Sequence, residues 1–385
     1  MTVKKKNKKS NIYLVTINVL IAIQLIAIVS VYLLVSRTIR TGETIVNTSD
    51  ELEDTVDEVV INNAIATSER LTGYTNIALI GIDTRDGNID YSNSDTMLVV
   101  SINNDTWGVR MISLYRDTYL NIDPDSETEK YNRANAAYAT GSINQFLSML
   151  NTNLDLNITQ YIIVDFNALA TLIDDLGGIN IMLTEQEVVH LNNYCIETSE
   201  ITGRPYSPLE YEEGMEARVY TLNGVQSVSY TRILFTDGYD MKRTQRQRLV
   251  IEKIVEKAKA KGIDALSLII NDVFPKIKTN FTSSQLIKMT ALMINYNIEY
   301  TSGFPFEYLE ADIAGKNVIV PVTLEDNVKE LHEFLFDDTS YHVSANVKHY
   351  SDIIISESGL GSDYKTTAKG NGVIPDIGSE ADLAK

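Results

Sequence analysis

The sequence predicts an α/β protein: a three-layer α/β/α sandwich with a central mixed sheet, preceded by one transmembrane helix. Three observations predict it. Short β-branched runs of strand length recur from residue 76 onward. Longer stretches with helical spacing lie between them. An uncharged run of 25 residues, Ile12 to Ser36, stands ahead of both. Strands alternating with helices argue for a layered α/β fold, and about 20 apolar residues suffice to cross a bilayer as a helix.

The N-terminal elements follow from charge. Lys4, Lys5, Lys6, Lys8 and Lys9 precede the apolar run. The run is longer than the apolar core of a signal peptide, and no small-residue cleavage site follows it. The reading is therefore a cytoplasmic basic head over 1–11, an uncleaved transmembrane helix over 12–36 and an extracellular stalk over 37–75. Positive charge stays on the cytoplasmic side, so the remainder faces outward. A cleaved signal is the alternative.

The chain of 385 residues has a net charge of −19. Its first 40 residues hold seven cations and no anion, so residues 41–385 carry −26, the −19 less those seven. A domain this acidic excludes nucleic acid as a partner and avoids anionic lipid headgroups through its general field. Any anionic ligand needs a local cationic cluster. The single cysteine, Cys195, excludes an intrachain disulfide framework and a cysteine-based zinc site.

From residue 76 the predicted strands are 76–82, 96–102, 108–114, 160–166, 177–183, 227–233 and 317–322. The predicted helices are 132–154, 167–177, 243–262, 283–296 and 324–336, with Thr282 or Ser283 capping the fourth. The folded domain is placed at 76–350, with its core at 76–262. Residues 351–385 lose hydrophobic pattern and are expected to be a disordered tail.

The segment "MKRTQRQRLVIEKI" (241–254) packs four cations into 242–248. At helical spacing Arg243, Arg246 and Gln247 share the face that continues through Val250, Ile251 and Ile254. Arg248 points elsewhere. Two arginines at the head of a buried stripe suit a phosphate or pyrophosphate, because a helix N-terminus is already positive. The competing reading pairs them with carboxylates such as Asp240 or Asp117. A second cluster lies in "GIDTRDGNIDYSNSD" (81–95), where Asp83 and Arg85 share one face of an extended chain and Asp95 opens the next strand. Two carboxylates completed by water and phosphate oxygens make an ordinary magnesium site; a solvated acidic turn is the alternative. "SLYRDTYL" places Arg116 and Asp117 just past a strand, where open α/β sheets bind ligands, and "SVSYTRI" carries Arg232. No nucleophile elbow, Walker sequence or zinc motif occurs, and the four histidines show no ligand spacing.

In this order, "LIGIDTR", "SDTMLVVSI", "MISLYRD", "NRANAAYATGS", "VDFNALATLIDDLGGINI", "LNGVQSVSYTRI" and "DMKRTQRQRLVIEKI" resemble the LytR-CpsA-Psr family of membrane-anchored phosphotransferases. The resemblance implies transfer of a glycopolymer from a polyprenyl-pyrophosphate carrier to peptidoglycan at the outer membrane face, with magnesium. It implies Asp83 and Asp95 as metal ligands, and Arg85, Arg116, Arg232, Arg243, Arg246 and Gln247 as pyrophosphate ligands, with Arg116, Arg243 and Arg246 catalytic. Asp117 and Asp240 then orient the arginines. The sequence departs from the family pattern at Tyr115, where proline is usual, and at Leu234, where a second arginine often stands. A non-catalytic carrier-binding or envelope-regulatory protein, and a pyrophosphate hydrolase, are the alternatives. The transferase reading expects the arginines to converge at the carboxyl edge of the sheet around a diphosphate-sized hole, not to be neutralised one for one by carboxylates.

Overall fold

The computed structural model describes residues 59–68, 70–83, 94–234 and 239–360. The expected basic head, membrane helix and most of the stalk, the end of the tail, and Arg85 lie outside the described residues. Among the described residues no helix is long and apolar enough to cross a membrane.

β1 (Tyr74–Ile82), β2 (Ser94–Asn103) and β3 (Gly108–Leu114) form an antiparallel meander. The hairpin β4 (Tyr119–Asn121) and β5 (Tyr131–Arg133) follows, then α1 (Ala136–Leu154), which is kinked at Gly141 and Ser142. β6 (Gln160–Asp165) lies parallel to β1 and leads into α2 (Phe166–Leu176). β7 (Ile179–Leu183), α3 (Glu185–Thr202), β8 (Arg218–Leu222), α4 (Gly224–Arg232) and α5 (Tyr239–Lys261) follow. The chain finishes with β9 (Lys278–Thr279), α6 (Ser283–Leu292), β10 (Asn297–Phe304), β11 (Tyr308–Ile313), β12 (Lys316–Pro321), α7 (Leu324–Phe336) and α8 (Ala345–Ser358). The central sheet has six strands in the order β10-β3-β2-β1-β6-β9, and it is mixed as predicted.

Period-2 alternation feeds two cores from this sheet. Ala78, Ile80, Ile82, Met97, Val99, Ile112 and Leu114 pack with residues of α1, α7 and α8. Their neighbours Ile77, Leu98, Ile102, Val109 and Met111 pack with Ile270, Phe274 and Leu286 on the other face. Helices therefore cover both faces, and each buried aliphatic side chain contributes about 1.5–3 kcal/mol. A third cluster joins α2 to α5 and the β7–β8 hairpin.

Four expectations are corrected. Residues 227–233 are not a strand but the body of α4. Asn223 caps it, accepting from Gln226 N at 2.9 Å while the Gln226 side chain returns to Asn223 N at 2.9 Å. That reciprocal cap overrides the β-branched composition of "SVSYTRI". The strand predicted at 177–183 exists as β7, but it pairs with β8 outside the central sheet. α5 starts at Tyr239, so Arg243 and Arg246 stand inside the helix, and Asp240 supplies the negative charge its first turn favours. α8 runs on to Ser358, past the point where the tail was expected to begin, with Val347, Tyr350 and Ile354 buried against the main core.

The segment at Val60–Asn62 is tied to residues far along the chain, Val60 N donating to Ser148 Oγ at 2.9 Å and Asn62 Nδ2 to the Thr152 carbonyl at 3.1 Å. Asp155, at φ 53, accepts from Asn62 Nδ2 at 2.5 Å, Tyr341 Oη at 2.9 Å and Ser344 N at 2.7 Å. His332 stacks on Tyr341 at 3.5 Å and donates from Nε2 to the Leu154 carbonyl at 3.2 Å. Burial lowers its pKa from 6.5 to about 4, partly opposed by the Leu154 carbonyl, Asp155 and Asp338. The unfolded chain thus binds a proton here that the folded chain refuses. His332 contributes stability above pH 6.5 that is lost as pH falls towards 4, amounting to about 3 kcal/mol at most. Urea unfolding of His332→Phe, which keeps a stacking ring and removes the proton site, is expected to show a shallower fall in stability between pH 6.5 and 4. Equal slopes in the two proteins would assign the pH dependence to another group.

Candidate functional site

Strand register brings the acidic residues together. β1 and β6 end side by side, with Ile82 opposite Asp165. β2 runs the other way, so its first residues lie beside the end of β1, with Ile82 opposite Ser94. Asp83, Asp95 and Asp165 therefore stand at one edge, the carboxyl edge of the parallel pair.

A cavity of about 260 Å³ opens there. Asp83, Asp95, Arg232, Arg243 and Gln247 line its polar part, and Leu79, Val164, Phe166, Leu169, Val250 and Ile251 its apolar part. The α5 contribution is the predicted face: Arg243, Gln247, Val250 and Ile251 follow helical spacing. Arg232 arrives from the last turn of α4, its guanidinium flanked by the rings of Phe166 at 5.1 Å and Tyr194 at 5.5 Å. Arg116 and Arg246 stand beside the cavity and do not line it.

Each of these arginines also meets a carboxylate. Arg116 reaches Asp95 at 3.2 Å, Asp117 at 3.6 Å and Asp240 at 3.8 Å. Asp117 shares its charge with Arg133 at 3.4 Å. Arg232 pairs with Glu197 at 2.7 Å and lies 3.8 Å from Asp83. Arg243 pairs with Asp240. Arg246 donates to Glu187 at 3.1 Å and to the Ile233 carbonyl at 3.1 Å. The expectation of arginines left for a diphosphate is corrected in this respect: they converge, but neighbouring acids balance them. A carboxylate stands beside each of these four arginines, because an unpaired buried charge costs several kcal/mol. Burial pushes the Asp240 carboxyl up from its ordinary value, while Arg243 and Arg116 pull it back.

Hydrogen-bonding capacity nonetheless remains. Arg243 Nε and Gln247 Oε1 are buried without a hydrogen-bond partner among the described residues. Gln247 Nε2 is held by the Thr231 carbonyl at 3.5 Å. Asp83 and Asp95 face one cavity from adjacent strands, which fits a magnesium ion taking its other ligands from water and phosphate. Among the described residues no group of three or more His, Cys, Asp or Glu is placed for a metal, so protein side chains alone do not complete that shell.

Three contributors escaped the sequence reading. Arg248 is buried, and donates to Ser113 Oγ at 2.7 Å on β3. Glu187 uses one oxygen to cap α3 through Thr184 N at 3.1 Å and the other to hold Arg246. The T-x-x-E spacing of that cap was legible; the link to Arg246 was not. Glu197 partners Arg232 across the α3–α4 contact. At the two departures, Leu234 lines the cavity and Tyr115 is buried with its hydroxyl against Gly303. The apolar Leu234 therefore adds to the greasy wall where a second cation was usual.

A polar head region joined to an apolar recess thus lies at the edge of a mixed α/β sheet. The chain belongs to the LytR-CpsA-Psr family, whose LytR_cpsA_psr profile matches residues 35–331. It is 28% identical over 208 residues to a polyisoprenyl-teichoic acid–peptidoglycan teichoic acid transferase, TagU, of Bacillus licheniformis, covering 54% of this chain and 60% of that protein. It is 27% identical over 233 residues to TagU of Enterococcus faecalis, covering 59% and 66%. The alignments span less than two thirds of either relative. Among solved structures, TagT bound to LI-WTA superposes with a TM-score of 0.52 at 20% identity, covering 70% of this chain and 93% of that one. The Streptococcus agalactiae protein gbs0355 does so with a TM-score of 0.57 at 21% identity, covering 80% and 99%. These two likenesses bear on the fold.

Proposed function

We propose that the protein moves a glycopolymer from a polyprenyl-pyrophosphate carrier to peptidoglycan. The observation that carries the reading is a cavity with Arg232, Arg243 and Gln247 at its polar end and Leu79, Leu169, Val250 and Ile251 beyond them. A diphosphate on an isoprenoid tail has that same division. The relatives' named activity, teichoic acid transfer to peptidoglycan, supports the substrate class.

Arg232 and Arg243 each present a planar fork that grips two phosphoryl oxygens. Gln247 and the free Arg243 Nε add neutral and charged hydrogen bonds. Arg116 holds Asp95 and Asp240 in place from the flank. The acids that balance the arginines leave little net positive charge for a diphosphate; Asp83 and Asp95 would hold a magnesium ion, which would supply further neutralisation as the pyrophosphate bond breaks and polyprenyl phosphate leaves. In this proposal residues 12–36 anchor the protein in the cell membrane with its N-terminus cytoplasmic and the site outside, within reach of carrier lipid and wall. Arg85 joins the site in the family pattern.

The test is purified full-length protein in detergent, given a labelled lipid-linked glycopolymer and a peptidoglycan oligosaccharide. Label is expected on the oligosaccharide, lost on chelation and restored by magnesium. Release of polyprenyl phosphate and free labelled glycopolymer phosphate, without labelled oligosaccharide, would replace the transferase with a hydrolase. Lipid retention with neither product would replace it with a carrier-binding protein.

A further inference from the structure

The proposed chemistry leaves Arg246 without a task, although it shares the cationic face of α5. It is 5% exposed and does not line the cavity. Its Nε donates to Glu187 Oε1 at 3.1 Å and its Nη1 to the Ile233 carbonyl at 3.1 Å. The guanidinium lies 5.8 Å from the centroid of the Tyr230 ring and also hydrogen-bonds that side chain. These partners occupy its fork at the end of α4.

That end of α4 carries Arg232. Ile233 follows it directly and closes the helix. The last carbonyls of a helix lack partners within it, and its C-terminus carries partial negative charge. α5 meets both needs from adjacent positions: Arg246 takes the Ile233 carbonyl, and Gln247 Nε2 takes the Thr231 carbonyl at 3.5 Å. Arg246 is in turn fixed from α3. Glu187 Oε2 accepts from Thr184 N at 3.1 Å within the reciprocal cap of that helix, which leaves Oε1 for Arg246. Further along the same helix, Glu197 and Thr198 Oγ1 hold the Arg232 head at 2.7 Å and 2.9 Å. α3 therefore grips Arg232 twice: at its side chain directly, and at the adjoining backbone through Glu187 and Arg246.

We propose that Glu187 and Arg246 are positioning residues, a strut that sets Arg232 at the polar end of the cavity. The inference rests on the diphosphate reading of that cavity. It replaces the ligand role that the family resemblance implies for Arg246, and the two roles differ in sign. If Arg246 gripped phosphate, Glu187 would compete for its charge, and neutralising Glu187 would tighten diphosphate binding. If the pair is a strut, neutralising Glu187 lets Arg246 leave the Ile233 carbonyl, and binding weakens.

The probe is geranylgeranyl pyrophosphate, titrated into the full chain in detergent micelles. Glu187→Gln keeps an oxygen for the Thr184 cap and loses the charge. It is expected to weaken binding about tenfold, the coupling scale for residues of one salt-bridge network. Arg246→Lys, which keeps the charge and loses the fork, is expected to weaken it about equally, and the double variant no further. In an Arg232→Met background neither substitution is expected to change binding, because the strut acts through Arg232; damage to the fold at large would persist there. Should Glu187→Gln not fold, Arg246→Lys in the two backgrounds decides. Tighter or equal binding by Glu187→Gln, additive losses in the double variant, or a loss that persists without Arg232 would overturn the proposal. A protein that follows the expected pattern yet transfers no polymer keeps the strut and loses the proposed function. A wild type that binds no probe at millimolar concentration loses both.

Discussion

Replacing Arg243 with alanine is expected to lower glycopolymer transfer at least about a hundredfold, the scale for removing one preorganised charged donor from a reacting oxyanion. Arg243 is 6% exposed, lines the cavity, and carries its unpartnered Nε there. The same guanidinium balances Asp240, itself 9% exposed. Removing it leaves that carboxylate with Arg116 at 3.8 Å, and a broken buried pair costs roughly 3–5 kcal/mol. A loss of activity in the single variant is therefore ambiguous. Adding Asp240→Asn separates the two effects. The double variant is expected to regain thermal stability and to remain without transfer. Full transfer in a folded Arg243→Ala protein would end the pyrophosphate assignment.

Gly224→Ala is expected to lower the melting temperature by roughly 3–5 °C, from an overpacking cost of about 2–3 kcal/mol in a domain of this size. α4 begins at Gly224, and a Cβ there would lie 2.4 Å from the Ala170 carbonyl oxygen on α2. Backbone cannot rotate out of the way as a flexible side chain would, so α4 must move. The helix carries Arg232 at its other end, in the cavity wall. Carrier binding is thus expected to weaken together with stability. Differential scanning calorimetry with lipid-diphosphate titration checks both. An unchanged melting temperature would mean that the α2–α4 contact tolerates the methyl group and does not position Arg232.

Much of the fold was legible where local pattern and tertiary context agree. The strands at 76–82, 96–102 and 108–114 are continuous β-branched runs because both faces of the sheet are covered. Thr282 was expected as a cap and accepts from Gln285 N at 3.3 Å. The reading failed where composition and context part. "SVSYTRI" has strand composition but is wound into a helix by a cap four residues upstream of its first serine. β10 escaped detection because it is an edge strand with Asn297, Glu299 and Tyr300 exposed, so it lacks an apolar run.

The site divides in the same way. Helical spacing placed Arg243 and Gln247 on one face with Val250 and Ile251, and Asp83 and Asp95 were placed at the ends of their own strands, both of which line the cavity. These follow from geometry that each segment carries alone. The pairing of Arg246 with Glu187, of Arg232 with Glu197, and of Arg248 with Ser113 joins residues 35 to 135 positions apart. The sequence by itself determined the α/β class, the cationic face of α5 and the family. Only the tertiary structure decided which carboxylate each arginine meets, because periodicity states the direction of a side chain from its own element, whereas a partner is chosen by how the elements pack.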